Sequence, residues 1–385
     1  MKPVLFVTGH VPRERHAGFR ELHDRQGIEL ALFGGPDAHG GAGAGPPPGV
    51  PSGEVSQADV GRLVGSGDYR AVILGTGGRL ALPAAWIAAR RARLPFVLWA
   101  AIWRTPRTPA HLAGLPLMLW IYRDAAAIVT YGEHVSGYVA ARGARNIRIA
   151  PQAVDNDFWS VGAPVGRPPG PMRVLFVGRS IPAKGLDVLC RAWVQSRLAE
   201  RGATLTLVGD HAGRQLAGVV AAGRVDRPEL RNFYGSADVL VIPSIPTPAF
   251  VEPWGLVANE AMNQRTAIIT TDAVGAAAGG MLRHRRNALV VAAGDPSGLA
   301  DALVTLERDA ALRARLADAG TRDVRAFTHA AWADAFSGAL DSVGVGRGSL
   351  GGAGGSLGGA GAGRGPAGGV GGGRDPLVAC PDAAL

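Results

Sequence analysis

Two glutamates eight positions apart, Glu252 and Glu260, lie on either side of the start of a segment with helical character. A carboxylate accepts hydrogen bonds, so each of them could bind hydroxyl groups of a sugar or a ribose. Between them, the free N–H groups of Gly255, Leu256 and Val257 would point at an anion, and the helix dipole would reinforce them. Acidic residues also occur near helix N-termini for structural reasons alone, because the same dipole favours them.

A second segment could bind phosphate. The apolar run Val174 to Val177 indicates a buried strand, and Gly178 closes it and lets a ligand approach the backbone closely. The guanidinium of Arg179 could bind two phosphate oxygens at once, and Lys184 adds a compact charge on a flexible stem. Lys184 is one of only two lysines in the chain. A surface arginine and a solvated loop lysine are the alternative, but the spacing favours a site for a diphosphate.

Composition narrows the classes of protein. The chain has 385 residues, of which 47% are hydrophobic, so it can bury the cores of two domains. Its formal net charge of +9 would suit nucleic acid or a membrane surface. The excess is almost all arginine in a chain rich in Ala, Gly and Pro, and no aromatic stacking motif of an RNA-binding module is present. We therefore predict no nucleic-acid partner.

The cysteines and the apolar runs favour the cytoplasm. Cys190 and Cys380 are too few for a disulfide framework, which indicates a reducing compartment. The apolar run Val4 to Val7 is too short for the core of a signal peptide. The longest apolar stretch, Leu112 to Ile121, is well short of the roughly 20 residues that a spanning helix needs. We predict no transmembrane segment.

Short β-rich runs alternate with Ala-rich helical patterns such as Leu82 to Arg93 and Glu133 to Arg142. The predicted strands are Pro3 to Thr8, Ile28 to Phe33, Ala71 to Leu74, Phe96 to Trp99, Ala127 to Thr130, Ile147 to Ala150, Val174 to Val177, Thr204 to Val208, Val239 to Ile242, Ala267 to Thr270 and Ala288 to Val291. This alternation implies an α/β protein with parallel sheets covered on both faces. Its chemistry should lie at the carboxyl ends of the strands.

A Gly- and Pro-rich stretch interrupts the alternation and divides the chain. We predict a first doubly wound domain over residues 1–161, a linker over 162–171 and a second doubly wound domain over 172–325. A helix over 326–343 is expected to pack back on the first domain. Residues 344–385 are so rich in glycine that they predict a disordered tail.

Several motifs follow one another up to about residue 340. They are Val-Gly-Arg at 177–179 with Lys184-Gly185, Val208-Gly209-Asp210, the run from Tyr234 to Ser244, two glutamates separated by seven residues (Glu252 and Glu260), and Asn287-Ala-Leu-Val-Val. Pro151-Gln-Ala-Val-Asp155 is similar to an interdomain segment that is more usually Pro-Asn-Gly-Val-Asp. The combination resembles the retaining glycosyltransferases of family 4, also called group 1. That family has the GT-B fold, in which two Rossmann-like domains face each other across a cleft.

The resemblance implies roles for the site residues. Arg179 and Lys184 would hold the diphosphate of a nucleotide-sugar donor, Glu260 its ribose and Glu252 the transferred hexose. The segment Gly223-Arg224-Val225 would lie against the base. The remaining predicted donor contacts are Gly178, Gly255, Leu256, Val257 and Val225. Fixed positive groups at the diphosphate would stabilise the charge that develops on the leaving group.

The resemblance also implies that the donor is a co-substrate and that no cofactor or metal is needed. Asp155-Asn156-Asp157 has the form of a metal-binding Asp-X-Asp motif. It falls in the interdomain segment, however, so we assign it no metal.

The first domain departs from the family and leaves the acceptor open. Many relatives have a glycine pair after the first strand, where this chain has Gly9 and His10, which could partly replace it. Relatives also have a histidine after the strand Phe96 to Trp99, and no residue here matches it. The acceptor could therefore be a glycan, a lipid-linked sugar or a small molecule, and any catalytic role for a histidine is in doubt.

Aromatic, basic and apolar residues lie close together along the acceptor side of the chain. They are Trp99, Trp103, Arg104, Arg107, Leu112, Met118 and Trp120. Such a composition suits peripheral association with the inner face of a membrane. The alternative is a core helix followed by an active-site loop.

Two other classes of function stay open. A nucleotide-sugar epimerase with the GT-B fold would need catalytic acids and bases around one bound sugar, and no such set is evident. A noncatalytic protein that binds nucleotide sugars would keep the donor site but transfer nothing. The presence of both Glu252 and Arg179 argues against that alternative.

Overall fold

The computed structural model describes residues 1–34, 45–166, 168–211 and 215–347. These residues form two parallel β-sheets covered by helices. The first sheet comprises β1 (Val4–Thr8), β2 (Ile28–Leu32), β3 (Ser52–Glu54), β4 (Ala71–Gly75), β5 (Phe96–Ala100), β6 (Ala127–Thr130) and β7 (Ile147–Ile149). The second comprises β8 (Arg173–Val177), β9 (Thr204–Val208), β10 (Val219–Gly223), β11 (Val239–Ile242), β12 (Ala267–Thr271) and β13 (Leu289–Val291).

Helices connect the strands and cover both sheets. Those of the first half are α1 (His16–Gln26), α2 (Val60–Val64), α3 (Ala81–Ala92), α4 (Pro109–Asp124), α5 (Glu133–Ala140) and α6 (Asn156–Ser160). Those that follow are α7 (Leu186–Ser196), α8 (Arg227–Ser236), α9 (Val257–Asn263), α10 (Gly275–Ala278), α11 (Pro296–Arg308), α12 (Ala310–Asp323) and α13 (His329–Ser342). The predicted α/β architecture is confirmed.

Both sheets have a doubly wound strand order. The first runs β3-β2-β1-β4-β5-β6-β7 and the second β10-β9-β8-β11-β12-β13. Alternate residues of a strand point to opposite faces, so Val4 and Phe6 join one core of the first sheet while Leu5 and Val7 join another. This burial on both faces explains why the central strands read as continuous apolar runs.

Two strands were not predicted from the sequence. Ser52–Glu54 is a three-residue edge strand with every residue exposed, and it contains no apolar side chain. Val219–Gly223 is an apolar run, but it is an edge strand of the second sheet with no fully buried residue. The first strand therefore gave no hydrophobic signal, and the second is too short for composition alone to assign it as a strand.

The last described helix packs on the first sheet. Trp332 and Phe336 of α13 join the core around Phe6 and Phe19, with 4.5 Å between the ring centroids of Trp332 and Phe336. Beyond α13, Arg70 Nε donates to the carbonyl of Val345 at 2.7 Å. Residues from 348 onward, most of the predicted tail, lie outside the described part of the chain. The domain bounds given above stay a prediction.

Helix α4 exposes an apolar face. Within it only Ile121 and Tyr122 are buried, while Leu112, Leu117 and Trp120 are 52%, 36% and 63% exposed. At about 100° per residue these three exposed side chains fall within an arc of about 140°. The alternative of a core helix is therefore wrong for α4. No helix of the described residues is long and apolar enough to cross a bilayer.

Candidate functional site

Several predicted site residues lie where the strand order of the second sheet reverses. Strands β8 and β11 are neighbours, and the chain leaves β8 toward β9 on one side and reaches β12 from β11 on the other. Loops at such a point diverge and open a crevice at the carboxyl ends of the strands. Gly178 and Arg179 follow β8, and Pro243 and Ser244 follow β11.

Gly185 brings these two loops together. It follows the single helical turn Pro182–Lys184 with a φ of 68°, and a Cβ there would lie 1.9 Å from the carbonyl oxygen of Pro243. Next to this contact, the N–H of Ile245 donates to the carbonyl of Ala183 at 2.9 Å. Only glycine permits so close an approach in this conformation, and the approach places Lys184 over the second loop.

Lys184 and Glu252 form an ion pair at this crevice. The two side chains are 19% and 9% exposed, and Ser244 Oγ donates to the same carboxylate oxygen at 3.4 Å. Each charge is largely removed from water and is compensated by the other. The sequence placed Lys184 at the diphosphate and Glu252 at the sugar, and the structure brings the two within contact of each other.

The backbone around Glu252 is held by the first half of the chain. Trp103 Nε1 donates to the carbonyl of Glu252 at 3.2 Å, and His134 Nε2 donates to the carbonyl of Pro253 at 3.1 Å. Because a carbonyl can only accept, the proton of neutral His134 is on Nε2. Burial lowers the pKa of His134, which favours that neutral form, although the bond to Pro253 acts in the opposite direction.

Glu260 is hydrogen bonded to a buried tyrosine. It lies in α9, and Tyr234 Oη donates to its Oε2 at 2.7 Å. Burial raises the pKa of Glu260 to about 7, with the tyrosine bond lowering it and the carboxylate of Glu14 raising it further. Glu14 lies between β1 and α1, so the second glutamate faces the first half of the chain. Its protonation should change within the physiological pH range.

The predicted amide site lies just before α9. That helix begins at Val257, with Leu256 as its N-cap, and Gly255 has a φ of 92°. Within the described residues, the N–H groups of Gly255, Leu256 and Val257 have no hydrogen-bond acceptor. The structure therefore keeps these three donors available beside Glu252, and their role stays a prediction.

The loop after β8 is fixed by the end of β9. Gly209 has a φ of 126°, and a Cβ there would lie 2.1 Å from the carbonyl oxygen of Gly178. His211 Nε2 donates to that same carbonyl at 2.8 Å. Arg179 follows Gly178 and its side chain is exposed at the carboxyl end of β8. A rigid backbone thus presents the arginine at the crevice.

The predicted base segment lies beside the same edge. Strand β10 ends at Gly223, and Val225 is half-buried against the hydrophobic core on one face of the second sheet. Arg224 pairs with Asp210, which follows β9, at 2.5 Å. The segment therefore lies next to the end of β9, two strands from β11.

The residues predicted in the first half lie at the equivalent crevice of the first sheet. Gly9 and His10 follow β1, whose neighbours are β2 and β4. The carbonyl of Gly9 accepts from the N–H of Gly34 at 3.0 Å, and His10 is half-buried.

The Asp-X-Asp sequence has a structural use. Asp155 is the N-cap of α6 and accepts from the N–H of Phe158 at 3.0 Å. Asn156 donates to the carbonyl of Phe327 at 3.2 Å and accepts from Asn263 at 2.8 Å. These side chains connect the halves of the chain. Among the described residues, no three His, Cys, Asp or Glu side chains form a group that could hold a metal ion.

Sequence reasoning missed the residues of the first half that reach the site. Trp103, His134 and Glu14 are separated from the second sheet by dozens of positions along the chain, so no local spacing could connect them with it. Trp103 was noted only for the membrane face. Trp99, from the same group, is 7% exposed and belongs to the core of the first sheet, so placing it on an exposed face was wrong.

The comparisons of sequence each match about half of the chain or less. Residues 171–309 match the model of the family described as glycosyl transferases group 1. The chain is 27% identical to glycogen synthase of Mycobacterium tuberculosis over 214 residues, which are 52% of this chain and 50% of that protein. It is 33% identical to D-inositol 3-phosphate glycosyltransferase 2 of Catenulispora acidiphila over 206 residues, 46% of each chain. The chain thus spans about half the length of the curated relatives it matches.

The structural comparison covers both halves. The crystal structure of Anabaena Alr3699/HepE in complex with UDP and glucose superposes with a TM-score of 0.66 at 18% sequence identity. The match covers 89% of this chain and 100% of the Anabaena chain. The fold is therefore GT-B, as the sequence predicted.

Proposed function

We propose that the protein is a glycosyltransferase that moves a sugar from a nucleoside-diphosphate sugar to a hydroxyl group of an acceptor. The observation that carries the proposal is the buried pair of Lys184 and Glu252 at the reversal point of the second sheet, beside the exposed Arg179. The match to the group 1 family over residues 171–309 supports the same class of reaction.

The reaction breaks the bond between the anomeric carbon of the sugar and an oxygen of the diphosphate. The bonding electrons leave with the diphosphate, the acceptor oxygen bonds to the carbon, and the acceptor proton passes to the leaving group. Arg179 and Lys184 would stabilise the negative charge that develops on that leaving group. Glu260 would bind the ribose and Glu252 the transferred sugar.

Several finer features belong to the proposal. We propose a hexosyl transfer with retention of configuration, as in family 4. We propose that it needs no metal, because Arg179 and Lys184 would supply the positive charge at the leaving diphosphate. We place the protein in the cytoplasm. The Anabaena structure contains UDP and glucose, which supports a uridine donor as the first to be tested.

The proposal is tested by thermal unfolding in the presence of UDP, GDP, ADP, TDP or CMP. A nucleotide at 100 times its dissociation constant should stabilise the protein by about 2.7 kcal/mol. We expect one nucleoside diphosphate to do so, and its sugar derivative to release that diphosphate only when an acceptor is present. A protein that binds none of the five contradicts the proposal, and sugar isomerisation without acceptor would favour an epimerase.

The same measurement should depend on pH through Glu260. Its pKa of about 7 means that the carboxylate, the form that accepts two ribose hydroxyls, increases from about pH 6 to about pH 8. The raised pKa thus predicts tighter nucleotide binding at the higher pH. Glu260→Gln cannot titrate and should remove this dependence, which also controls for titration of the nucleotide itself. An unchanged pH dependence in the variant would exclude Glu260 from the ribose site.

We also propose that α4 associates with the surface of a membrane. Leu117 and Trp120 on its exposed face would enter the lipid, each contributing up to about 1.5 to 3 kcal/mol if fully buried. In co-sedimentation with phosphatidylglycerol vesicles, the variant Leu117→Ser/Trp120→Ser should bind at least about tenfold more weakly than the wild type. Val194→Ser, which alters a 59% exposed residue of α7, is the matched control. Wild-type protein that stays in the supernatant would contradict the proposed association of α4 with a membrane.

A further inference from the structure

A cavity of about 630 Å³ lies between the two halves of the chain, next to Glu252. One wall is the segment 104–107, between β5 and α4. The other is the segment 246–251, which leads from β11 to Glu252. Val251 lines the cavity and directly precedes Glu252, so a molecule in the cavity would lie beside the residue proposed to face the transferred sugar.

The walls of this cavity are held by direct hydrogen bonds. The N–H of Arg107 donates to the carbonyl of Pro248 at 2.6 Å, and the N–H of Thr247 donates to the carbonyl of Phe250 at 2.8 Å. At the inner end, the indole of Trp103 donates to the carbonyl of Glu252. The space is therefore formed by fixed backbone and could bind a ligand without rearrangement.

The cavity carries positive charge without compensation. Arg104 and Arg107 line it, and no acidic residue does. Within the described part of the chain, neither guanidinium has an ion-pair partner. The Arg104 guanidinium lies over the Trp103 ring, 5.9 Å from its centroid, and Arg142 Nη2 donates to Thr105 Oγ1 at 3.1 Å behind the wall. Two guanidinium groups thus line the space, and a third supports the wall from behind.

We infer that this cavity binds the acceptor and that the acceptor carries a phosphate group held by Arg104 and Arg107. A guanidinium can donate two parallel hydrogen bonds to phosphate oxygens, and two such groups in a cavity with no acidic lining favour an anion over a neutral sugar. Phe250 and the neighbouring prolines offer an apolar wall for the rest of the molecule. The inference rests on the proposed function, because it names the acceptor of the same reaction.

The phosphate could belong to a soluble ester or to a lipid headgroup, and two measurements separate them. The first uses the full chain saturated with the nucleoside diphosphate that binds it, so that the donor site is filled. Glycerol 3-phosphate and glycerol are then compared by saturation-transfer proton NMR. The second is co-sedimentation with phosphatidylglycerol vesicles. Binding of the free ester supports a soluble acceptor. Binding to vesicles alone supports a headgroup where the Leu117→Ser/Trp120→Ser variant, which removes the proposed contact of α4 with lipid, still binds them.

The variants decide whether the two arginines are responsible. Arg104→Gln and Arg107→Gln should each weaken binding by about tenfold to a hundredfold, since a hydrogen bond to a charged group contributes about 1.5 to 3 kcal/mol. Arg107→Lys keeps the charge but loses the planar fork and should be intermediate. Arg315→Gln removes an exposed charge of α12 outside the cavity and is the matched control.

Three results would overturn the inference. They are equal binding of glycerol and glycerol 3-phosphate with no binding to vesicles, no binding in either measurement, and binding that Arg104→Gln and Arg107→Gln leave at the level of Arg315→Gln. In each case nucleoside diphosphate binding would persist, so the proposed function would survive. If the protein binds no nucleoside diphosphate, the thermal-unfolding test contradicts the proposed function, and this inference is lost with it.

Discussion

Lys184→Ala should slow nucleoside diphosphate release in the transfer reaction by about a hundredfold to a thousandfold. The lysine is the only one in the chain beyond Lys2, and its ammonium lies at the crevice in contact with Glu252. Its charge is positioned before the reaction begins, so in the proposed reaction it would stabilise the leaving diphosphate without reorganisation. Steady-state release of the diphosphate, measured with saturating donor and acceptor, checks this expectation.

The same change should destabilise the protein, because it leaves the 9% exposed carboxylate of Glu252 without its partner. Removing one member of a buried pair costs about 3 to 5 kcal/mol. The double variant Lys184→Met/Glu252→Gln removes both charges and should recover most of the stability but none of the activity. Arg197→Ala, which breaks the exposed pair with Glu200, is the control and should alter neither quantity much. Normal turnover in a folded Lys184→Ala protein would contradict the proposed role.

Gly185→Ala should be among the most destabilising single substitutions in the chain. The new Cβ would collide with the carbonyl oxygen of Pro243 at 1.9 Å, and the backbone has a φ of 68° that disfavours any side chain. The left-handed conformation costs roughly 1 to 2 kcal/mol and the overpacking roughly 1 to 3 kcal/mol more. Denaturant unfolding measures the sum as the loss in the free energy of unfolding.

Gly294→Ala separates the two contributions. Gly294 has a φ of 80°, but no atom lies within 4 Å of the position of a Cβ. It should therefore show only the conformational cost, about 1 to 2 kcal/mol. Equal losses in the two variants would mean that the loops after β8 and β11 can separate at little cost, and that Lys184 is not fixed by this contact.

The central strands could be predicted because strands that are buried on both faces are apolar at nearly every consecutive position. The runs that became β1, β8 and β11 are almost wholly apolar and lie in the middle of their sheets. The edge strand Ser52–Glu54 could not, because it is fully exposed and contains no apolar side chain. Val219–Gly223 is apolar, but so short an apolar run does not by itself distinguish a strand from a helix.

The candidate site also has features that the sequence could predict and features that it could not. Gly178, Arg179, Lys184, Glu252 and Glu260 could be proposed from the sequence because the second half keeps a recognisable order of motifs, and their roles stay a prediction. The pairing of Lys184 with Glu252 was not foreseen, since it depends on the close approach at Gly185. The contacts of Trp103 and His134 arise only when the first half packs against the loop of Glu252, which no local pattern encodes.

The packing of the first half against the loop of Glu252 limits how the molecule can move. Trp103 and His134 donate to the carbonyls of Glu252 and Pro253, and Arg107 donates to Pro248 in the same loop. A conformation that parts the two sheets must break these bonds and release the backbone that aims the carboxylate. If the proposed transfer takes place in this closed arrangement, an opening that admits solvent would also displace the carboxylate of Glu252. The proposed function would then gain protection of the sugar nucleotide against hydrolysis.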